Sequence, residues 1–361
     1  MRLSRLIFYA SGVTAAGALL AACSGGGSTS SALAPSTGMN SSSVGHLPSL
    51  KERMTSTSLI SKPLHVDHRK SWISPDARRA QRLLYISDDG TNDIDVFTLP
   101  GLVPKGQFTG FDEPQGMCND ASGNIWVANT GTLQMLQLSR TGLLLKTLDD
   151  PTGFPVGCAV NKSNNDLAVA NVIGNSGGDG NLVVYANSTG TPTEYFDPSV
   201  PEYLFPAYDT SGDLFVDGAD SSGFALLELP AGSSALSIVT ISGGQVFFPG
   251  GLAWDIATNE LVIGDQECSD EAASCLYSAT VSDFVATITG VTMLLNPSGQ
   301  STGDVDQVTI GPRGRYVAGG FISEGSNPSD VARWAFPAGG VPTNFNDTTI
   351  VEPIGAAISN K

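Results

Sequence analysis

Apolar residues in this chain come in short runs separated by turns rich in Gly, Asn and Asp. The clearest case is EPQGMCNDASGNIWVANTG, residues 113–131. Pro114 and Gly116 punctuate a loop, and residues 117–119 read as a short strand. Residues 120–123, DASG, predict a tight turn: Asp120 can bond its own backbone, and Gly123 accepts a positive φ. Residues 124–128 are β-branched and aromatic, the signature of a second strand. Residues 129–131 turn again. The unit is strand, turn, strand, turn.

Looser copies follow at residues 154–171, 205–218, 248–265 and 304–320. RLLYISDDG, residues 82–90, copies only the second half. The second strands centre on Tyr85, Trp126, Ala168, Phe215, Val262 and Tyr316, at spacings of 41, 42, 47, 47 and 54 residues. Such a period, with several short strands in each unit, predicts an all-β fold, a β-propeller with four-stranded blades. The chain closes with EPIGAAIS, residues 352–359, a match to EPQGMCND at 113–120. This C-terminal strand is therefore expected to supply the inner strand that the first copy lacks. It closes a six-bladed ring and removes an open sheet edge. The outer strand of the fourth blade is expected at 237–241. Long loops are expected between the second and third strands of blades three, five and six.

The copy at Pro114 to Gly131 resembles the NHL repeat, and the looser resemblance covers residues 82–361. It implies a six-bladed binding module for proteins, glycans or nucleic acid. The shape is also similar to the senescence-marker-protein and gluconolactonase family. That resemblance implies a rival function: a divalent-cation-dependent lactonase or hydrolase. The family's cation site includes a Glu from an inner strand. None is found here, since Glu113 and Glu352 precede their strands, and the enzyme reading is the weaker one.

The N-terminus changes the picture of location. Residues 1–5 are basic, 6–19 apolar and too short for a typical membrane span, and Leu20-Ala-Ala-Cys23 resembles the lipobox of bacterial lipoproteins. The expected organisation is a signal peptide over 1–22, a Ser/Gly-rich tether over 23–75 and the propeller over 76–361. The resemblance implies that Cys23 is the lipidation site, which would place the protein on a membrane of the cell envelope, outside the cytoplasm. Residues 76–81 predict a helical turn leading into the ring.

The formal charge of −17 is uneven. Residues 51–82 hold 8 basic and 3 acidic side chains, whereas residues from 83 onward hold 8 basic and 32 acidic ones. So acidic a domain argues against nucleic acid and anionic membrane as its partners. All three histidines, His46, His65 and His68, precede the first blade. This excludes a Ser-His-Asp triad or a His-rich zinc site within the propeller.

Two residue sets are candidates for chemistry. Asp88, Asn129, Asn171 and Asp265 end second strands and converge on one mouth of the channel. Four such oxygen donors are candidate Ca²⁺ ligands. Glu113, Gln115, Phe154, Tyr203, Phe247, Phe248, Asp265 and Glu267 rim the same face, and carboxylates among aromatics suit a protein or glycan partner.

The four cysteines after Cys23 are even in number in an exported chain, which predicts disulfides. Cys268 and Cys275 flank one hairpin loop. Cys118 and Cys158 sit on neighbouring inner strands, one residue out of register. Their side chains are expected on opposite faces unless a bulge restores the match. Both bonds are expected.

Overall fold

The computed structural model describes residues 70–221, 223–268, 273–322, 329–347 and 350–360. Cys23, the three histidines and most of the expected tether lie outside the described residues. Six antiparallel sheets stand around an axis as a six-bladed β-propeller. The second strands, among them Arg82–Asp88, Ile125–Asn129, Leu167–Gly174 and Glu260–Cys268, are nearly fully buried. Both faces of each blade are covered by neighbouring blades, so these strands read as continuous apolar runs and not as alternating ones.

The ring closes as the repeat predicts. The C-terminal strand Pro353–Asn360 pairs antiparallel with Arg82–Asp88, in the register Leu83↔Ser359, Leu84↔Ile358 and Tyr85↔Ala357. Blade one gains a fifth strand that the pattern did not suggest: Trp72–Ile73 adds to the outer edge of Val103–Thr109. A 3-10 turn over Ala77–Arg79 then leads into the ring, as expected.

Two expectations need correction. Residues 237–241 are not one strand. Ser237–Ile238 pairs within blade four, and Thr240–Ser242 crosses to pair in parallel with Val285–Met293 of blade five. Val239, between them, is buried in the blade four–five core, and it is this anchor that splits the run. The connections in blades three and five are also more regular than expected. Leu167–Gly174 and Asp179–Tyr185 pair out to Ile173↔Asp179, and Glu260–Cys268 pairs with Ala273–Ser282 out to Cys268↔Ala273. In blade six, Tyr316–Phe321 and Asp330–Ala335 pair out to Phe321↔Asp330. Most of the expected loop in blades three and five is therefore hairpin, whereas in blade six, among the described residues, only the end residues of the expected loop, Phe321 and Asp330, are paired in strands.

Both disulfides form, Cys118–Cys158 and Cys268–Cys275, each with Cα atoms 5.6 Å apart. The one-residue offset of Cys118 and Cys158 does not turn their side chains apart, and the ring explains why. Alternate residues of an inner strand point to the preceding and the following blade. Met117 packs against blade one, so its neighbour Cys118 packs against blade three. Cys158 faces back toward blade two. Residues at the same repeat position point the same way around the ring. A one-residue offset is therefore what lets two neighbouring inner strands face each other.

Candidate functional site

Antiparallel order gives the ring two distinct faces. One, the loop face, holds the connections between blades and those between second and third strands. The other, the turn face, holds the tight turns between first and second strands and between third and fourth.

The proposed cation donors all lie at the loop face. Asp88 is buried, and its two carboxylate oxygens accept the backbone N–H groups of Val351 and Glu352, each at 2.9 Å. The Asn129 carboxamide accepts Asp112 N–H at 2.9 Å and donates to Thr132. Asn171 donates to Asp150, Thr152 and Asn181. Asp265 accepts three backbone N–H groups, from Phe247, Phe248 and Glu267, all at 3.0 Å. Burial still raises its acid above the ordinary carboxylate range, although those amides oppose the shift. Asp217 of blade four behaves likewise: it accepts Phe205 N–H at 2.7 Å, and burial holds its acid well above the ordinary range. Asp88, Asn129 and Asp265 each clamp their second strand to the crossover that enters the blade's inner strand. Asn171 ties its strand to side chains of the crossover before it. Each of the four is thus held within its own blade, and Asp88 and Asp265 fall in no common group of three or more acidic or sulfur ligands among the described residues. The acidic group of Asp265, Cys268 and Cys275 does not fit a metal either, since its sulfurs are bonded to each other.

The rim residues are similarly absorbed. Gln115 and Tyr203 are buried, and Tyr203 Oη accepts Asp197 N–H at 2.6 Å. Burial pushes the Tyr203 phenol up to about 12. Phe154 is half-buried against the core, as is Phe248 in its crossover. Glu113 takes a positive φ of 52° and donates its N–H to Asn92. Glu267 is half-buried, and Phe247 is the most exposed of the set, at 38%. One carboxylate was misplaced by the sequence reading. The inner strand of blade four begins at Glu202, so an inner-strand Glu does exist.

The cavity lies at the other end of the axis. About 460 Å³ opens on the turn face, framed by Asn119, Lys162, Tyr208, Asp209, Trp254 and Thr309, with contributions from all six inner strands. Surrounding protein holds the Lys162 ammonium below its ordinary range, while Asp120 favours the charged form. The inner end is crossed by Gln307. Its carbonyl accepts N–H groups from Met117 and Ala356, each at 3.0 Å, and its amide donates to Met117 C=O at 2.9 Å. One side chain of blade six thus ties blades one and two across the axis. Inner-strand glycines make this crossing close: a Cβ on Gly116 would sit 2.4 Å from Val156 O, and one on Gly251 would sit 2.9 Å from Gln307. Nothing in the repeat flagged Gln307, although it stands where the other blades have glycine, apart from Phe205 in blade four.

No family model matches this chain, and no curated protein matches its sequence. Solved structures do resemble it. A chain of a nidogen/laminin complex is 12% identical, with TM-score 0.60, over 77% of this chain and 98% of that one. A Bacteroides caccae protein of unknown function is 12% identical, with TM-score 0.58, over 78% and 100%. A catalytically inactive virginiamycin B lyase from Staphylococcus aureus, solved with quinupristin, is 14% identical, with TM-score 0.52, over 79% and 91%. At such identities these likenesses establish the propeller fold and no activity.

Proposed function

We propose that this chain is a binding module of the bacterial cell envelope, tethered through an acylated Cys23, that takes part of a protein or glycan partner into the axial cavity of its turn face. The cavity carries the reading. Its volume of about 460 Å³ suits a sugar ring or a short side-chain cluster. Its frame mixes the aromatic rings of Tyr208 and Trp254 with the neutral polar groups of Asn119 and Thr309 and one charge of each sign, Lys162 and Asp209. That mixture favours a polar, largely uncharged ligand with one apolar face. The loop face supports a binding role less well, because most of its candidate side chains are tied into the scaffold.

The test fills the cavity. Envelope glycan fragments and envelope proteins would be screened with the wild-type chain, and any ligand found re-measured on Asn119→Trp and Thr309→Trp. The expected result is at least a tenfold loss of affinity with unchanged thermal melting. A ligand held equally well by both filled variants would sink the proposal. Cys23→Ser should move the protein from the membrane to the soluble fraction; retention in the membrane would remove the anchor from it.

A further inference from the structure

The net charge of the domain conceals a segregation. From Leu83 onward, each described Lys and Arg lies in the half of the ring next to the turn face: Lys105, Arg140, Lys146, Lys162, Arg313, Arg315 and Arg333. They are also unequal around the circle. Blade six contributes Arg313, Arg315 and Arg333, blade two contributes Arg140 and Lys146, and the lead into blade one adds Arg78, Arg79 and Arg82. Blades three to five carry Asp166, Asp209, Asp213, Asp255 and Asp283 on the same face.

The basic groups form one continuous arc. Arg140 of blade two donates to the carbonyl of Ala80, next to Arg78 and Arg79. Arg333 of blade six lies 5.1 Å from the centre of the Tyr316 ring, and Arg82 and Arg333 both favour that residue's phenolate. Arg78, Arg79, Arg313 and Arg315 are exposed.

Apolar side chains stand exposed within the same arc. The third-to-fourth-strand turn of blade two reads Arg140-Thr-Gly-Leu-Leu-Leu-Lys146. Its leucines Leu143, Leu144 and Leu145 are 65%, 53% and 47% exposed. Val103 of blade one and Val341 of blade six, at corresponding turns, are 47% and 52% exposed. Exposed leucines bracketed by cations are costly in water and give nothing to a purely ionic partner. They match a surface that is anionic at its boundary and apolar just beneath.

We infer that the basic, leucine-bearing arc of blades six, one and two docks the propeller directly on an anionic lipid surface. The acidic turns of blades three to five are repelled from that surface, so the disc rests tilted on one arc. The axial cavity then lies beside the bilayer and is not pressed flat against it.

Vesicle flotation tests this with the mature chain from Ser24 onward, so that neither the basic, apolar leader nor an acyl chain on Cys23 contributes. Vesicles of phosphatidylcholine alone would be compared with vesicles containing phosphatidylglycerol. Binding is expected to rise with the anionic lipid. It should fall at least tenfold in Arg313→Glu/Arg315→Glu and also in Leu143→Ser/Leu144→Ser. Added negative charge on blade four, Thr210→Glu/Ser211→Glu, compared with the equal change of −2 made by Arg313→Ala/Arg315→Ala, should leave binding within twofold. A tryptophan introduced by Leu144→Trp should add blue-shifted emission only with anionic vesicles. Binding that ignores phosphatidylglycerol, or equal binding by all variants, would overturn the inference. So would loss of both vesicle and heparin binding in the arginine variant while the leucine variant binds normally, because that pattern marks a polyanion site and not a bilayer.

Discussion

Aspartate does two different jobs on the two faces of this ring. On the turn face, Asp120 accepts the N–H groups of Ser122 and Asn124, and Asp209 those of Ser211, Gly212 and Asp213. Each of these backbone partners lies two to four residues ahead, while the Asp120 carboxylate also accepts the Gln137 side-chain amide at 2.8 Å. On the loop face, Asp88 holds amides 263 and 264 residues away, and Asp265 holds two that precede it by 17 and 18. The turn-face residue shapes its own turn. The loop-face residue fastens one strand to the chain segment that enters the blade. An identical side chain thus sets local conformation at Asp120 and Asp209 and long-range assembly at Asp88 and Asp265, while Asp213 and Asp166 of the turn face join their turn to the next one by accepting Ala231 and Asn187 N–H.

The harshest way to challenge this comparison is to remove the most distant partners. Deleting residues 352–361 takes away the inner strand of blade one together with one amide that Asp88 holds. The domain should lose cooperative thermal unfolding altogether, because two sheet edges open. A truncated chain that melts like the parent would refute the closed ring.

The disulfides allow a graded comparison. Cys118–Cys158 closes a separation of 40 residues and Cys268–Cys275 one of 7. Loop-closure entropy predicts about 4 kcal/mol lost on converting the first pair to Ser and about 2 kcal/mol for the second. Denaturant unfolding of the two double variants measures both, and equal losses would mean that loop size does not govern their contribution.

The aspartates themselves come next. Asp265→Ala strands three backbone N–H groups at a buried site and should cost about 3 kcal/mol, whereas Asp209→Ala, whose amides reach water, should cost about 1 kcal/mol. If the two cost the same by chemical denaturation, the two faces are not energetically distinct.

The smallest effect concerns pH. The Asp217 acid is raised in the folded chain from an ordinary 3.8, by burial. Its contribution to stability is therefore full below about 3.8 and is lost as pH climbs toward the folded value. Asp217→Asn does not titrate. The melting temperature of the variant should gain on that of the wild type as pH rises above 4. A difference that stays flat with pH would show that the carboxyl is not held neutral.

What could be read from the sequence follows the same division. The DASG turn and its Asp120 cap were legible because donor and acceptor are close in the chain. The second strands were legible because burial on both faces makes them continuously apolar. The loop-face clamps were read as cation donors because their amide partners are distant in sequence and carry no side-chain signal. Glu202 was missed because the inner strand starts earlier than its apolar run. The cavity on the turn face was invisible, since Gln307, Asn119 and Thr309 converge only when all six inner strands meet. The basic arc was hidden by averaging, because a net count does not record which end of a strand a charge occupies.

The alternation of inner-strand side chains has a consequence for engineering. Two cysteines arising at the same repeat position of adjacent blades can never bond, whereas a pair offset by one can. Ala357 and Met117 stand in the relation that Cys118 and Cys158 hold, one blade earlier, and both pack in the blade one–two core. Replacing these two with cysteine would stitch the seam where the chain's last strand meets its second blade. The result would be a covalent hoop across the joint at which the ring would otherwise open.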